Sequence, residues 1–290
     1  MKSFYTLLIL LIPFVGFGQI INQIGDDIDG EVAYESSGES VSLSSDGMTV
    51  AVGADRNGAY TGLVRVYSWD GSSWNKLGGD INGEAARNFS GGAVSLSSDG
   101  MTLAIGASWN NGNGDESGHV RIYSWDGSSW NKLGVDIDGE AEYDWSGCSV
   151  SLSSDGMTLA IGAEGNDGNG DNAGHVRIYS WDGSSWNKIG DDIDGEVAYE
   201  YSGGAVSLSS DGMTVAVGAD RRGEYRSLVR VYSWDGSSWD KLGGDIDGEE
   251  KDDWSGCSVS LSSDGMTVAV GAMYNDGNGD GSGHVRIYSW

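Results

Sequence analysis

The sequence has 290 residues and a formal net charge of −28 at pH 7, and its 49 glycines stand against a single proline, Pro13. Nucleic acids and anionic lipids are poor partners for so acidic a chain, because both are negatively charged themselves. The many glycines and the near absence of proline indicate a folded chain with many tight turns rather than a disordered one.

Residues 1–18 have the pattern of a secretory signal peptide. Lys2 precedes an apolar run that is followed by small residues, and the run is too short to span a bilayer. We therefore predict cleavage before Gln19 and a mature chain, residues 19–290, that is secreted or held at the surface of a bacterial cell. The later sequence has no stretch suited to membrane insertion.

The chain after residue 19 is built from repeats. The octapeptide SLSSDGMT occurs five times at intervals of 53 to 56 residues, with its methionine at Met48, Met101, Met157, Met213 and Met266. Repeats of this length without helical periodicity are typical of propeller blades or solenoids.

Each repeat contains four predicted strands. In chain order, SVSL and MTVAVGA alternate apolar and small residues and flank an Asp-Gly turn, VRIYSW follows a variable loop, and SWNKLG follows the turn WDGSS. An acidic linker around DIDGE leads to the next repeat. The pattern predicts an all-β protein, a β-propeller of four-stranded antiparallel blades with five blades in this chain. A β-helix, the alternative, has much shorter coils.

The two ends of the chain complement each other. The segment INQIGDDIDGE, residues 21–31, closely matches the fourth strand and linker WNKIGDDIDGE at 186–196, whereas the fifth repeat reaches only its third strand. The predicted N-terminal strand, residues 20–28, therefore completes the last blade if the five blades form a closed ring. The alternating short and long loops fit part of a longer array equally well, and both interpretations stay open.

A glycine-rich loop near the C-terminus resembles the opening of a calcium loop. Asp276, Asn278 and Asp280 occupy alternate positions before a glycine, as oxygen ligands do at the start of an EF-hand loop. The third repeat has Asp167, Asn169 and Asp171 at the same places. These six residues are candidate Ca²⁺ ligands, and no other cofactor is predicted.

The same loop lacks later parts of an EF-hand. His284 and Ile287 stand where further ligands are needed, and Asn172 replaces the glycine in the third repeat. The alternative interpretation is a polar loop tip whose Gly and Asn residues suit a left-handed backbone.

Four aromatic residues lie in variable loops and linkers among carboxylates: Trp109, Trp145, Trp254 and Tyr274. They are candidates for stacking on sugar rings, and anchoring of the loops is the alternative. The tryptophans of the repeated WDGSSW segments are predicted instead to pack across strands or between blades.

Histidines and cysteines suggest packing rather than chemistry. The three histidines share one repeat position with Leu63 and Leu228, and Cys148 and Cys257 share another, two blades apart. Cysteines so far apart do not meet the geometry of a disulfide. No asymmetric group of nucleophile and base stands out, and no pair of carboxylates is distinguished as in a glycosidase, so we predict no catalytic residue.

A Ser-Gly before the first strand, a Gly-Ala pair ending the second and a Gly-x-Val opening the third make the sequence resemble FG-GAP repeats. The Gly-Ala glycines are Gly53, Gly106, Gly162, Gly218 and Gly271. Such repeats form the propellers of integrin α-subunits and of bacterial secreted relatives. The resemblance implies a propeller used for adhesion or ligand binding, with calcium loops in some members. Here, however, Ser-Gly replaces Phe-Gly, and the tight SSDG turn stands where the family's calcium loop lies.

We therefore expect a secreted, non-catalytic binding or adhesion module that recognises an extracellular protein or glycan through its loops. The alternatives are a lectin-like carbohydrate-binding propeller and, less favoured, a propeller glycoside hydrolase. The sequence leaves the ligand and the oligomeric state open.

Overall fold

The computed structural model describes residues 22–219 and 227–290, so the predicted signal peptide lies outside the described residues. The described chain forms five antiparallel sheets, one from each repeat. The predicted β-propeller with five blades is therefore confirmed. One short helical segment, α1 (Asn57–Tyr60), lies in a loop, and within the described ranges no helix is long and apolar enough to cross a membrane.

The first four blades contain five strands each and the last contains three. Blade 1 has β1 (Ser40–Leu43), β2 (Thr49–Ala54), β3 (Leu63–Trp69), β4 (Trp74–Lys76) and β5 (Ile81–Asn82). Blade 2 has β6 (Ala93–Leu96), β7 (Thr102–Ala107), β8 (His119–Trp125), β9 (Trp130–Lys132) and β10 (Ile137–Asp138). Blade 3 has β11 (Ser149–Leu152), β12 (Thr158–Ala163), β13 (His175–Trp181), β14 (Trp186–Lys188) and β15 (Ile193–Asp194). Blade 4 has β16 (Ser202–Leu208), β17 (Thr214–Ala219), β18 (Leu228–Trp234), β19 (Trp239–Lys241) and β20 (Ile246–Asp247). Blade 5 has β21 (Ser255–Leu261), β22 (Thr267–Ala272) and β23 (His284–Ser289).

The fourth strand of each complete blade is split into two pieces. In blade 1, β4 and β5 both pair antiparallel with β3, one at each end of it. The sequence predicted β4 but treated the DIDGE region as a linker, which was wrong for its Ile-Asp or Ile-Asn pair. The pair is a strand because its isoleucine is buried, as Ile81 is opposite Val64.

The repeated Asp-Gly turns are stabilised by their own side chains. Asp46 accepts hydrogen bonds from the Ser44 hydroxyl at 2.7 Å and from the Met48 amide at 2.9 Å. Asp70 accepts from the hydroxyl and amide of Ser72 and from the amide of Ser73, and these bonds hold the pKa of Asp70 well below its usual range. The turn sequences therefore recur because each repeat needs the same capped hairpins.

The hydrophobic core lies between the blades rather than inside one sheet. Between blades 1 and 2, Ala51, Val64 and Val66 pack against residues of blade 2, namely Val94, Leu96, Leu103 and Ile105. Three equivalent clusters join blades 2 to 3, 3 to 4 and 4 to 5. A strand that is covered on both faces explains why the TVAVGA and TLAIGA segments are almost wholly apolar or small.

In blades 1 to 4, the glycine of the Gly-Ala pair lies where neighbouring blades touch. A Cβ atom on Gly106 would stand 2.0 Å from the carbonyl oxygen of Gly147, which precedes the first strand of blade 3. No side chain fits in that space, so the spacing of the blades requires glycine. This contact explains the most regular part of the FG-GAP-like pattern.

The two ends of the array are uncovered. Residues 22–28, the described part of the predicted N-terminal strand, are assigned to no strand and do not pair with β23 in this structure. Instead the carbonyl oxygen of Ile24 accepts a hydrogen bond from Trp74 of blade 1. The segment thus lies on blade 1, because the indole of Trp74 offers the donor that the equivalent tryptophan offers in the other complete blades.

Candidate binding face

The connections of the blades lie at two opposite ends of the strands. The SSDG and WDGSS turns share one end, here called the turn face. The loops between the second and third strands and the linkers that enter the blades share the other end, here called the loop face. Its described parts are residues 30–39, 55–62, 83–92, 108–118, 139–148, 164–174, 195–201, 248–254 and 273–283.

Loops and linkers of the loop face support each other through backbone bonds. The amide of Tyr143 donates to the carbonyl of Asp115 at 2.8 Å, and the amide of Trp145 donates to that of Glu116 at 3.2 Å. Gly118 and Ser146 form an isolated parallel bridge beside them. Each loop of one blade is therefore held against the linker that enters the next blade.

Two positions of every linker have a left-handed backbone although neither is glycine. The first position is Tyr34, Arg87, Tyr143, Tyr199 and Asp252, and the second is Ser36, Phe89, Trp145, Tyr201 and Trp254. Positive φ is unfavourable for bulky residues, and such strain is concentrated at binding and switching sites. The linkers thus hold ten residues, seven of them aromatic, in an unfavourable backbone conformation on the loop face.

The predicted aromatic residues fall into two separate groups. Trp109 is 43% exposed, and its ring lies 4.8 Å from that of Phe89. Trp145 lies on the neighbouring linker, and its indole donates a 3.0 Å hydrogen bond to Glu116. Trp254 and Tyr274 form an edge-to-face pair 4.8 Å apart in blade 5. The structure therefore pairs Trp109 with Phe89 and Trp254 with Tyr274, while Trp145 contacts Glu116.

A cleft opens between the long loop of blade 2 and the linker into blade 3. It is lined by Arg87, Trp109, Asn111, Asp115, Glu116 and Tyr143. The sequence did not single out Tyr143, which is 51% exposed and faces the same cleft as Trp109. The recurrence of tyrosine at this repeat position, as Tyr34 and Tyr199, could have pointed to Tyr143. Its place in the same cleft as Trp109 depends on the contact between the loop and the linker.

The predicted calcium ligands take part in the bonds that shape their own loops. Asp276 accepts a 2.6 Å hydrogen bond from the amide of Gly281, and Asp167 accepts one from the amide of Asn172. Asn169 directs its amide nitrogen to the carbonyl of Gly195 at 2.7 Å, and Asp171 accepts from the hydroxyl of Tyr199 at 3.0 Å.

A calcium site needs six to eight oxygen ligands. Asp276, Asp167 and Asp171 each accept a hydrogen bond in these loops, and Asn169 donates from its amide nitrogen, so each of the four side chains keeps an oxygen that could bind a cation. Asp280 and Asn278 lie exposed in the same loop as Asp276. Calcium binding by these residues stays a prediction.

Buried ion pairs connect the linkers to the third strands. In blade 1, Arg65 contacts Glu35 at 2.8 Å, Asp80 at 3.3 Å and Glu31 at 3.4 Å. Blade 4 repeats the network around Arg230, with Glu200, Asp245 and Glu196. The bond from Arg65 holds the pKa of Glu35 below its ordinary value. Carboxylates of the repeated DIDGE motif are thus structural partners of arginine.

A family model described as FG-GAP repeat matches residues 135–179 and 235–288. Together with the five propeller sheets, this match over about a third of the chain supports the resemblance to FG-GAP repeats. The protein is a β-propeller with FG-GAP-like repeats. None of the curated proteins matches its sequence.

Solved structures of other propellers are similar to this chain in fold. The periplasmic gluconolactonase PpgL of Pseudomonas aeruginosa aligns with a TM-score of 0.56 at 15% identity over 85% of this chain and 71% of that chain. A hydrazine synthase of Kuenenia stuttgartiensis aligns with a TM-score of 0.54 at 15% identity, and this chain covers 59% of it. A functionally unknown protein of Desulfotomaculum acetoxidans gives 0.54 at 14% identity, over 86% and 69% of the two chains. Identities this low establish the shared fold alone.

The histidines of the repeats lie beside carboxylates. Glu84, His119 and Asp136 form one group, and Glu140, His175 and Asp192 form another. Lys132 contacts Asp136 at 2.6 Å and Lys188 contacts Asp192 at 2.7 Å, so a lysine already balances each aspartate. Blades 1 and 4 keep the same carboxylates with leucine in place of histidine, which indicates that the histidines fill space. Burial lowers the pKa of His119 and of His175 to about 4, so both are neutral at pH 7.

The two cysteines of the repeats are free thiols, as their separation predicted. Burial raises the pKa of Cys148 to about 12. A thiol that stays protonated at neutral pH is a poor nucleophile, so Cys148 has a packing role.

Proposed function

We propose that this propeller is an extracellular, non-catalytic binding module that recognises a protein or glycan through its loop face. The observation that supports this most directly is the cleft between blades 2 and 3. There two half-exposed aromatic rings, Trp109 and Tyr143, stand among the carboxylates of Asp115 and Glu116.

The chemistry of this cleft favours a carbohydrate. Aromatic faces pack against the C–H side of a sugar ring, while carboxylates and amides bond its hydroxyl groups. Among the described residues, the side chains of Asp115 and Tyr143 have no hydrogen-bond partner, so both are free to meet a ligand. Glu116, in contrast, accepts from Trp145 and positions that linker.

The backbone supports the same proposal. Tyr143 and Trp145 have φ of 63° and 54°, and both are held there by bonds to the opposite loop. A binding site whose side chains are fixed beforehand loses less conformational entropy when the ligand arrives. The strain at these positions is then compensated by tighter binding.

The non-catalytic part of the proposal rests on how the polar groups are used. The repeated carboxylates form ion pairs with arginine and lysine in one blade after another, whereas catalysis needs one asymmetric group of residues. Similarity to a gluconolactonase at 15% identity carries the fold and not the reaction. Extracellular location rests on the predicted signal peptide, and recovery of the protein outside the producing cell tests it.

A glycan array with the purified protein tests the proposal. We expect binding to at least one class of sugar, weakened about tenfold or more in Trp109→Ala and Tyr143→Ala because each removes a stacking face, a change of about 1.4 kcal/mol. Met157→Ala is the matched control, since Met157 is equally exposed but lies on the turn face.

Two results would contradict parts of the proposal. If the protein binds no sugar but captures a protein ligand through Trp109, the binding function is kept and the carbohydrate ligand is contradicted. Hydrolysis of chromogenic glycosides or of gluconolactone by the purified protein would contradict the non-catalytic part.

A further inference from the structure

The third strands of blades 2 and 3 each begin with a histidine that lies among carboxylates from two other segments. In blade 3, one ring nitrogen of His175 and one carboxylate oxygen each of Glu140 and Asp192 lie within 4.8 Å of one another. Glu140 belongs to the linker that enters the blade, whereas Asp192 lies between β14 and β15. The same arrangement recurs in blade 2 with Glu84, His119 and Asp136.

Packing explains the size of these histidines but not their nitrogen atoms. Leu63 and Leu228 fill the same position in blades 1 and 4 and are buried there. His175 is 1% exposed, and its Nε2 atom has no hydrogen-bond partner among the described residues. In blade 2, the Nδ1 atom of His119 lies 3.9 Å from Asp138, too far for a hydrogen bond. A buried nitrogen without a partner is unfavourable, and a bound ligand would remove that cost.

A further carboxylate stands beside each histidine. Asp194 is paired with His175 across the sheet, and burial, followed by the negative charges of Asp192 and Glu140, raises the pKa of Asp194 above its ordinary value. In blade 2 the pKa of Asp138 is raised in the same way, by burial and by a neighbouring aspartate. Carboxylates that repel each other in this way are stabilised by a cation between them.

The basic side chains at the blade 3 group orient its carboxylates without cancelling their charge. Lys188 lies 2.7 Å from one oxygen of Asp192, and Arg177 lies 3.5 Å from one oxygen of Glu140. Each contact leaves the second oxygen of that carboxylate for another partner. Two cations stand against the three carboxylates of Glu140, Asp192 and Asp194, so one negative charge remains. Metal-binding carboxylates are commonly held by such outer contacts.

The arginine of the third strand avoids the aspartate only in blades that have the histidine. In blade 1, Arg65 contacts Asp80 at 3.3 Å, and Arg230 makes the equivalent contact in blade 4. In blade 3, Arg177 instead donates to the carbonyl oxygen of Asp138 at 2.8 Å, and within the described structure it forms no ion pair with Asp192. Arg121 behaves likewise in blade 2. Histidine and a free side of the aspartate therefore occur together.

We propose that blades 2 and 3 each bind one Zn²⁺ ion through a histidine nitrogen and the carboxylate oxygens of a glutamate and an aspartate. Zn²⁺ takes nitrogen and carboxylate ligands in a four-coordinate shell that water completes, whereas Ca²⁺ and Mg²⁺ prefer oxygen ligands alone. One imidazole with two carboxylates therefore favours Zn²⁺. The ligands are Glu84, His119 and Asp136 in blade 2 and Glu140, His175 and Asp192 in blade 3.

The ion in blade 3 fastens a linker of the loop face to its blade. Glu140 starts the linker 139–148, which carries Tyr143, and His175 lies at the start of β13. An ion bound to both side chains joins that linker to the sheet. Binding to the folded chain alone stabilises the fold, so Zn²⁺ should raise the melting temperature. This effect does not depend on whether the loop face binds a sugar or a protein.

Calorimetric titration of the purified, EDTA-treated protein with Zn²⁺ tests the proposal. A millimolar excess of Mg²⁺ occupies exposed carboxylates during the titration. We expect two Zn²⁺ ions per chain, one for each group of ligands, and a melting temperature that rises with Zn²⁺. The double variant His119→Leu with His175→Leu is expected to bind no Zn²⁺ under these conditions. It should fold, since leucine fills the same position in blades 1 and 4.

Two glutamine variants separate the proposed site from the general acidity of the surface. Glu140→Gln and Glu142→Gln each remove one negative charge from the same linker, but only Glu140 belongs to a group of ligands. Glu140→Gln should weaken one of the two sites at least about tenfold, since loss of even an outer contact costs that much. Glu142→Gln should bind Zn²⁺ as the wild type does.

Three results would overturn the proposal. The first is a folded wild-type protein that binds no Zn²⁺, in which case the histidine nitrogens bond only water. The second is Zn²⁺ binding that survives in the double histidine variant. The third is an equal effect of Glu140→Gln and Glu142→Gln, which would place the binding on the acidic surface at large. Circular dichroism confirms that each variant is folded.

Discussion

The indole nitrogen of Trp130 donates a hydrogen bond to the carbonyl oxygen of Leu77 in the preceding blade, at 2.9 Å. Trp186 and Trp239 make the same bond to Leu133 and Ile189 at 3.0 and 3.2 Å. Each tryptophan also lies against its partner across the hairpin, 5.5 Å away for Trp125 and Trp130. In blades 2 to 4, the second tryptophan of the WDGSSW segment therefore both closes its own hairpin and joins two blades, as the sequence predicted.

Trp130→Phe should destabilise the protein by about 1 kcal/mol or somewhat more, because phenylalanine keeps most of the apolar contact but leaves the Leu77 carbonyl without its donor. Urea unfolding followed by circular dichroism measures the change. Trp125→Phe is the control, since among the described residues the Trp125 indole nitrogen has no acceptor. Equal losses in the two variants would show that ring size rather than the hydrogen bond matters.

Gly106→Ala should be strongly destabilising, by about 3 kcal/mol or more, because the new methyl group overlaps the Gly147 backbone of the next blade. Gly271→Ala is the matched control in blade 5. There the nearest atom is the rotatable hydroxyl of Ser258, 2.3 Å away, and no backbone of a further blade lies close in the described structure. Thermal unfolding of both variants checks the prediction, and a Gly271→Ala protein as unstable as Gly106→Ala would contradict it.

The buried pair of Glu35 and Arg65 should contribute far more than the exposed contact that the same arginine makes with Glu31. Glu35→Gln is expected to cost about 1.5–3 kcal/mol because a charged hydrogen bond is lost in a dry site. Glu31→Gln should cost less than about 1 kcal/mol because Glu31 is half exposed. Denaturant titration at pH 7 measures both, and similar costs would argue against the buried pair.

The same pair predicts an acid dependence of stability. The pKa of Glu35 is lower in the folded chain than its ordinary value of 4.5. Its contribution is therefore complete above pH 4.5 and is lost as the pH falls through the lower folded value. Glu35→Gln should lose less stability than wild type between pH 5 and pH 3, measured as the shift in melting temperature.

Two buried histidines predict a loss of stability at mildly acidic pH. The pKa of His119 and of His175 is about 4 in the folded protein against 6.5 for a free histidine, so the unfolded chain binds more protons between these values. Stability should fall as the pH drops from about 6.5 to 4, by up to about 1.4 kcal/mol per pH unit for each histidine.

A variant with both His119→Leu and His175→Leu should lose this dependence, because Leu63 and Leu228 occupy the same position in blades 1 and 4. Melting temperatures at pH 7 and pH 5 give the comparison. An unchanged difference between the two pH values would mean that other groups dominate the titration.

Much of the fold could be predicted from the sequence because it depends on local patterns. The alternation of Val50 and Val52, the Asp46 and Asp70 turns and the regular recurrence of Gly106 and its equivalents each specify a strand, a hairpin or a close approach within one repeat. The short strand β5 was missed because two residues are too few to show a period, and only its pairing with β3 stabilises it.

The candidate site was predicted only in part, because it combines residues from different repeats. Trp109 was visible as an aromatic residue among carboxylates, but Tyr143 reaches the same cleft only through the contact between a loop and the next linker. Tyr143 and Trp145 have a left-handed backbone although neither is glycine, so the sequence gives no sign of this conformation. Hydrogen bonds to the opposite loop stabilise it.

The sequence by itself determined the repeat, its strands and its turns, because these follow from the nearest neighbours along the chain. Only the tertiary structure decided which apolar faces are covered. Val94 and Val41 stand at the same position of the repeat, yet one is buried against a preceding blade and the other is exposed. Burial depends on what lies across the interface, and in a propeller that partner is a whole repeat away in the chain.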